Sequence, residues 1–236
     1  MVTIQSDNFS LAQICESGQC FRMTKYSDDR YGLVAFGKYL EMVQTGNSIC
    51  FDCTQEEFDT LWEAYFDLET DYAAIIAGID ANDAYLSAAA EYGRGIRILH
   101  QELWEMLISF LISQNNNIGR IQSSVRALCS RYGERRGTAD GRTYFCFPTP
   151  EALANVSLED LNACGLGYRS RYVSRAADGV CRGDIDLSEL RTMDYDAAKM
   201  KLLKIYGVGA KVADCVCLFA LHPPPPTPMT FIMRSE

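Results

Sequence analysis

A lysine that follows two closely spaced glycines is the strongest chemical signal in the chain. Residues 202–215 read Leu-Leu-Lys-Ile-Tyr-Gly-Val-Gly-Ala-Lys-Val-Ala-Asp-Cys. The apolar segments on either side predict two helices joined by a tight hairpin, with Gly207 as a left-handed cap and Gly209 allowing close approach of a partner. The amides of such a turn suit a phosphate group.

Lys211 lies in the first turn of the second predicted helix. A cation at that position opposes the helix dipole, and a residue that breaks a local rule is a candidate for function. Burial together with the dipole would favour the neutral amine, which is the form that attacks an electrophilic carbon. We therefore expect Lys211 to be buried and to act as a nucleophile.

Composition places the chain among ordinary globular proteins. Its 236 residues are 48% hydrophobic, which is enough for a full core in one or two domains. The sequence contains neither an apolar run long enough to span a membrane nor a secretory leader at its start, so we expect a soluble intracellular protein. The ten cysteines are scattered, which favours reduced thiols. Cys50 and Cys53 form a C-x-x-C without a second pair at zinc spacing, so no metal site is predicted.

The net charge of -9 is unevenly distributed. Residues 1–90 contain 4 Lys and Arg against 15 Asp and Glu, whereas residues 113–182 contain ten arginines and six acidic residues. A local basic face can bind phosphates on an acidic protein. Charge alone nevertheless favours the alternative of a solvated helical surface.

The hydrophobic pattern predicts strands first and helices afterwards. Four short aromatic or β-branched segments between residues 19 and 53 predict an antiparallel meander, with Gly46-Asn47 as a hairpin turn. Helical periodicity begins at Glu56, and the segment from Trp104 to Ser113 is the most apolar helix. The predicted fold class is α+β. We expect an antiparallel sheet domain with flanking helices at 1–90, a helical domain at 91–221 and a Pro-rich tail at 222–236.

Four motifs in this order resemble the helix-hairpin-helix DNA glycosylases, and within them the 8-oxoguanine DNA glycosylase branch of the HhH-GPD superfamily. They are Gly18-Gln19-Cys20-Phe21-Arg22, Ser113-Gln114-Asn115-Asn116-Asn117-Ile118-Gly119-Arg120, Gly165-Leu166-Gly167-Tyr168-Arg169 and the hairpin from Gly207 to Cys215. The similarity extends from about Phe9 to Leu221, and G-V-G alone would be a weak signal. The occurrence of all four motifs in this order is a specific signal for the family.

The resemblance implies an enzyme that flips a damaged base out of double-stranded DNA. Asn115 would fill the gap opposite the orphan cytosine, Arg120 and Arg169 would contact that cytosine, and Tyr168 would stack beside it as a wedge. Gly207 and Gly209 would bind a phosphate. These roles make duplex DNA containing an oxidised purine the expected partner.

The chemistry implied by the resemblance is Schiff-base formation. Lys211 would attack the sugar, expel the base and allow β-elimination as an abasic-site lyase. Cys215 would line the base pocket, and the Gly18 carbonyl would accept the N7 hydrogen that 8-oxoguanine carries and guanine lacks. The resemblance implies no cofactor beyond a structural monovalent or divalent cation at the hairpin. It also implies a monomer, cytoplasmic and nucleoid-associated if the source is bacterial.

The sequence departs from the family after Leu221. The family places a catalytic aspartate there, whereas Thr230 falls roughly at that position, and Asp214 and Glu236 are unconvincing substitutes. A hydroxyl cannot stabilise a cationic transition state as a carboxylate does, so we expect impaired activity. Our hypothesis is a C-terminally truncated or frame-shifted glycosylase. The alternatives are a non-catalytic DNA-binding remnant, or an alkylated-base glycosylase of the same superfamily, which would not need Lys211.

Overall fold

The computed structural model describes residues 1–222 of the chain. Its residues group into two compact units, one of residues 1–34 and 39–100, the other of residues 35–38 and the described chain from Gln101 onward. Strands dominate the start and helices the remainder, which confirms the predicted α+β class. The predicted tail lies outside the described residues apart from His222. The predicted domain boundary at residue 90 stays a prediction.

The first unit is built on a five-stranded antiparallel sheet in the order β1-β5-β4-β3-β2. Its strands are β1 (Val2–Gln5), β2 (Met23–Lys25), β3 (Arg30–Ala35), β4 (Lys38–Thr45) and β5 (Ser48–Phe51). The predicted meander is confirmed, and the pairing of Thr45 with Ser48 leaves Gly46-Asn47 as its two-residue turn. Strand β1, which pairs with β5, was not predicted from the sequence.

The helices of the first unit are short. They are α1 (Leu11–Glu16), α2 (Gln55–Glu57), α3 (Glu63–Tyr65), α4 (Tyr72–Ala77) and α5 (Ala84–Tyr92), with a π-helical turn, Phe58–Trp62, joining α2 to α3. Asp71 caps α4 as predicted, by accepting a hydrogen bond from the Ala74 amide. The predicted cap Asn82 is wrong by one position, because Asp83 accepts from the Leu86 amide and caps α5 instead.

The second unit contains eight α-helices in its described part, and a π-helical segment, Cys217–Leu221, follows the last of them. They are α6 (Leu103–Ser113), α7 (Ile118–Tyr132), α8 (Pro150–Ala154), α9 (Leu158–Asn162), α10 (Ser170–Cys181), α11 (Leu187–Leu190), α12 (Tyr195–Leu202) and α13 (Ala210–Val216). Helix α6 is buried from Leu103 to Ile112 and packs against α7, α10 and α13. It forms the centre of this unit because its apolar residues cover every face.

One segment of the second unit differs from expectation. The segment from Glu134 to Phe147, predicted to be a loop, contains the antiparallel pair β6 (Arg135–Gly137) and β7 (Thr143–Phe145). These strands are too short and polar to give a period of two. No helix within residues 1–222 has the length and hydropathy needed to cross a membrane.

Candidate functional site

The glycine hairpin joins α12 to α13 as the sequence predicts. Helix α12 nevertheless ends at Leu202 with Leu203 as its C-cap, so the prediction of Gly207 as the left-handed cap is wrong. Gly207 has φ of +91°, and the Val208 amide donates to the Ile205 carbonyl at 3.0 Å to close the turn. A Cβ at Gly207 would lie 2.5 Å from Cγ of Tyr172, so both the backbone conformation and the packing require glycine there.

Gly209 is the N-cap of α13 and has φ of -95°. Among residues 1–222, no atom lies within 4 Å of its side-chain position and no side chain caps the helix. The first N–H groups of an α-helix have no intrahelical acceptor. The fold itself therefore does not require glycine at 209, and a bare backbone with free donors suits the approach of an anion.

Lys211 is exposed, so the expected burial of this side chain is wrong. It lies in the first turn of α13 beside Ala210, and the small residues before it leave the side chain uncovered.

Cys215 follows Lys211 by one helical turn and is partly buried. Burial raises the pKa of its thiol to about 11; the charge of Lys211 opposes this shift and the charge of Asp214 adds to it. The thiol is therefore protonated at neutral pH and presents a polarisable, uncharged surface.

Asp214 is engaged in contacts between α12 and α13. The Tyr195 hydroxyl donates to its carboxylate at 2.6 Å, and Lys199 Nζ lies 2.5 Å from the same oxygen. Burial, followed by the hydrogen bond and charge of Asp214, raises the pKa of Tyr195. The carboxylate thus holds the two hairpin helices together, and that it does not serve Lys211 stays a prediction.

The polar loop after α6 carries the predicted gap-filling residue. Asn115 is exposed with φ of +46°, a left-handed conformation that asparagine tolerates better than most residues. Its side chain makes no hydrogen bond among residues 1–222. Asn117 caps α7 by accepting from the Arg120 amide at 3.0 Å, and the Arg120 side chain is exposed. The loop thus presents an amide and a guanidinium to solvent.

Tyr168 and Arg169 lie on a 3-10 turn, Gly167–Arg169, that contacts this loop. Tyr168 is 52% exposed and its hydroxyl donates to the Gln114 carbonyl at 3.3 Å. Arg169 is only 9% exposed; its Nε donates to the Gln114 carbonyl at 2.8 Å and its Nη2 to the Asn115 carbonyl at 2.8 Å. Arg169 therefore holds the loop in place, and its predicted direct contact with a base stays a prediction.

Gln114 is a site residue that the sequence analysis did not assign. Its Nε2 donates to the Gly207 carbonyl at 2.9 Å, a contact between residues 93 positions apart. The available signal was its place directly before the asparagine cluster. Gln114 joins the loop, the Tyr168 turn and the hairpin into one surface of the second unit.

Gly18 belongs to the first unit. It has φ of +76° and is half-buried. The next residue, Gln19, is buried and ties this segment to residues 97–99. Its Nε2 donates to the Arg97 carbonyl at 2.9 Å, and its Oε1 accepts from the Leu99 amide at 2.9 Å. The backbone of Gly18 is thus firmly anchored, while its predicted role stays a prediction.

Comparisons with known proteins point in one direction. Residues 1–107 match the family described as 8-oxoguanine DNA glycosylase, N-terminal domain, and residues 108–214 match the HhH-GPD superfamily base excision DNA repair protein. The N-glycosylase/DNA lyase of Saccharomyces cerevisiae is 32% identical over 94% of this chain and 65% of its own length. N-glycosylase/DNA lyase OGG1 of Arabidopsis thaliana is 34% identical over 66% of this chain and 44% of its own length.

The chain is also similar to solved structures of 8-oxoguanine glycosylases. MBOgg1, in complex with a low-affinity DNA ligand, superposes with a TM-score of 0.88 at 35% identity, covering 93% of this chain and 76% of that one. The 8-oxoguanine glycosylase/lyase of Clostridium acetobutylicum, bound to duplex DNA with cytosine opposite 8-oxoguanine, gives 0.87 at 31%, covering 94% and 79%. The chain spans 44% to 65% of the length of the first curated relatives it matches.

Proposed function

This chain belongs to the 8-oxoguanine DNA glycosylase branch of the HhH-GPD superfamily, and we propose that it removes 8-oxoguanine from duplex DNA and cleaves the resulting abasic site. The observation that carries this proposal is the accessible amine of Lys211 beside the open glycine turn of Gly209. The relatives named as lyases and the DNA-bound enzyme from Clostridium acetobutylicum support it.

The proposed DNA grip is the hairpin. The first-turn amides of α13 and the uncovered Gly209 would bind a backbone phosphate, which needs donors and close approach. Such local binding is compatible with the net charge of -9 because the acidic excess lies in residues 1–90.

We propose that the exposed loop reads the strand opposite the lesion. The Asn115 amide offers both donor and acceptor to an orphan cytosine, and the Arg120 guanidinium offers donors. The half-exposed ring of Tyr168 would enter the stack as the wedge, with Arg169 bracing the loop behind it.

The reaction begins when the Lys211 nitrogen attacks C1' of the extruded nucleotide. The N–C1' bond forms, the glycosidic bond breaks, and its electron pair leaves with the base, which takes up a proton. The nitrogen lone pair then breaks the C1'–O4' bond, whose electrons leave on O4', which takes up a proton. The iminium formed in this way allows loss of a C2' proton and expulsion of the 3' phosphate. The Gly18 carbonyl would select 8-oxoguanine by accepting its N7 hydrogen, and the protonated Cys215 would line the base pocket.

The base-expulsion step should be slow in this chain. It builds positive charge on the sugar, and no Asp or Glu occurs between residues 215 and 235, where Thr230 stands at the expected carboxylate position. Thr230 lies outside the described residues. Capture of the aldehyde of a preformed abasic site does not pass through that cation, so we expect the lyase step to be less affected.

We further propose a structural cation at the hairpin, held by backbone carbonyls. Those of Ile205 and Gly207 each accept a hydrogen bond within the fold, from the Val208 amide and from Gln114, and each keeps a second lone pair. Oxygen donors of this kind suit a monovalent or divalent cation, and no chemical step depends on it. We propose that the protein is a monomer. We propose that it acts inside the cell, in the cytoplasm and nucleoid if the source is bacterial.

The proposal is tested by borohydride trapping on abasic-site DNA and by nicking of an 8-oxoguanine:cytosine duplex. The parent chain should form a covalent adduct, and Lys211→Gln should abolish it. Lys204→Gln is the matched control, since Lys204 is an exposed lysine on the other side of the turn. An adduct with slow 8-oxoguanine excision fits the missing carboxylate. Absence of any adduct from the parent chain would favour a non-catalytic DNA-binding remnant.

A further inference from the structure

Tyr172 lies at the centre of a row of tyrosine rings and guanidinium groups in contact with one another. Its ring meets Tyr168 edge to face with centroids 5.7 Å apart, and meets Tyr206 in the same way at 5.4 Å. A guanidinium covers each end, with Arg169 at 4.5 Å from the Tyr168 centroid and Arg175 at 4.0 Å from that of Tyr206. This row connects the 3-10 turn that carries Tyr168 to the hairpin turn at Gly207.

Tyr172 also belongs to a closed set of contacts that links Gly207, Gln114 and Tyr168. Its ring lies against the Cα of Gly207, since a Cβ there would stand 2.5 Å from Cγ of the ring. The Gly207 carbonyl accepts from Gln114 Nε2 at 2.9 Å, and the Gln114 carbonyl accepts from the Tyr168 hydroxyl at 3.3 Å. Tyr168 returns to Tyr172 through the ring contact. The wedge and the hairpin therefore cannot move independently without breaking one of these contacts.

We propose that Tyr172 is a positioning residue that sets the spacing between the wedge Tyr168 and the phosphate-binding hairpin. This inference rests on the proposed function. A base-flipping enzyme must place the wedge in the stack while the hairpin holds a phosphate of the same duplex, and a misplacement of about 1 Å can cost on the order of 100-fold in rate. Tyr172 acts through Tyr168 and Gly207, and its contacts come from the ring.

The mechanical link can be tested on the free full-length chain by hydrogen–deuterium exchange. Tyr172→Leu removes both ring contacts and should speed exchange in segments 113–118 and 205–210 together, by about 2- to 10-fold for each lost ring pair. Tyr172→Phe keeps the ring and should exchange like the parent. Tyr85→Leu removes a tyrosine that is 64% exposed in the first unit and serves as the control.

A second variant breaks a different contact in the same set and keeps the link testable if Tyr172→Leu does not fold. Gln114→Ala removes the hydrogen bond to Gly207 from a half-buried loop position, together with a longer one to the Leu111 carbonyl in the last turn of α6. It should speed exchange in both segments as Tyr172→Leu does. Exchange that rises in only one segment, or in neither, for a folded variant overturns the link.

The functional arm compares affinities for an 8-oxoguanine:cytosine duplex and an undamaged duplex. Tyr172→Leu should lower the preference for the damaged duplex, measured as its affinity divided by that for the undamaged duplex, by about 10-fold. Tyr172→Phe keeps the ring and should keep the preference of the parent chain. Adding Tyr168→Ala to Tyr172→Leu should cause little further loss, because both changes remove the same positioned wedge. Faster exchange with an unchanged ratio overturns the positioning role. If the parent shows no preference while the exchange results hold, the mechanical link stands and the proposed function has failed.

Discussion

Alanine substitutions at the two hairpin glycines should affect different properties, stability at Gly207 and DNA binding at Gly209. Gly207 has φ of +91° and lies against the Tyr172 ring, whereas Gly209 has φ of -95° and no atom of the described chain lies within 4 Å of its side-chain position. Gly207→Ala should therefore lower the stability of the second unit. Gly209→Ala should leave stability nearly unchanged and weaken DNA binding, because its methyl group would stand where a phosphate must approach.

The expected magnitudes follow from these geometries. A non-glycine residue in a left-handed conformation costs about 1–2 kcal/mol, and moving a ring that would stand 2.5 Å from the new Cβ adds a similar amount for overpacking. Gly207→Ala should thus cost about 2–4 kcal/mol, a drop in melting temperature on the order of 5–10 °C for a chain of this length. Alanine in place of glycine as the N-cap at 209 should cost about 1 kcal/mol or less.

The assay pairs thermal unfolding with fluorescence anisotropy on a labelled abasic-site duplex. Gly209→Ala should lose roughly 10-fold in affinity, the equivalent of one charge-assisted hydrogen bond of about 1.5 kcal/mol. Gly46→Ala is a useful reference for backbone strain alone, since φ is +58° there and a Cβ meets nothing within 4 Å. If Gly207→Ala melted no lower than Gly46→Ala, the packing of Tyr172 against the turn would be refuted.

Three further perturbations test individual site residues. Asn115→Gly should leave the melting temperature unchanged or raise it slightly, because φ is +46°, yet lower affinity for an 8-oxoguanine:cytosine duplex by about 10-fold in anisotropy titrations. Since burial raises the pKa of Cys215 to about 11, iodoacetamide at pH 8 should label the exposed Cys181 first, and labelling of Cys215 should accelerate only as the pH rises toward 11; equal rates at pH 8 would contradict this. Asp214→Asn should destabilise the half-buried hairpin contacts by about 1 kcal/mol in thermal melts while changing the rate of borohydride adduct formation less than about threefold; a loss of the adduct would give Asp214 a chemical role.

Local sequence signals were sufficient for most of the architecture. The β-meander, the apolar α6 and the glycine hairpin are set by periodicity and turn residues within a few positions, so they could be predicted without tertiary information. The order of four motifs also identified the family, because each motif is a short segment whose residues act together. Strand β1 was missed because its pairing with β5 lies far away in sequence.

Only the tertiary structure decided how the site is held together. The hydrogen bond from Gln114 to Gly207 spans 93 positions, and no local pattern encodes such a contact. Burial of Arg169 and exposure of Lys211 likewise depend on what packs beside them, and both differ from what residue type or motif position implied. The sequence by itself determined which chemical groups are present and on which elements. The packing of α6, α10 and the hairpin determined which of those groups brace the surface and which remain free to meet DNA.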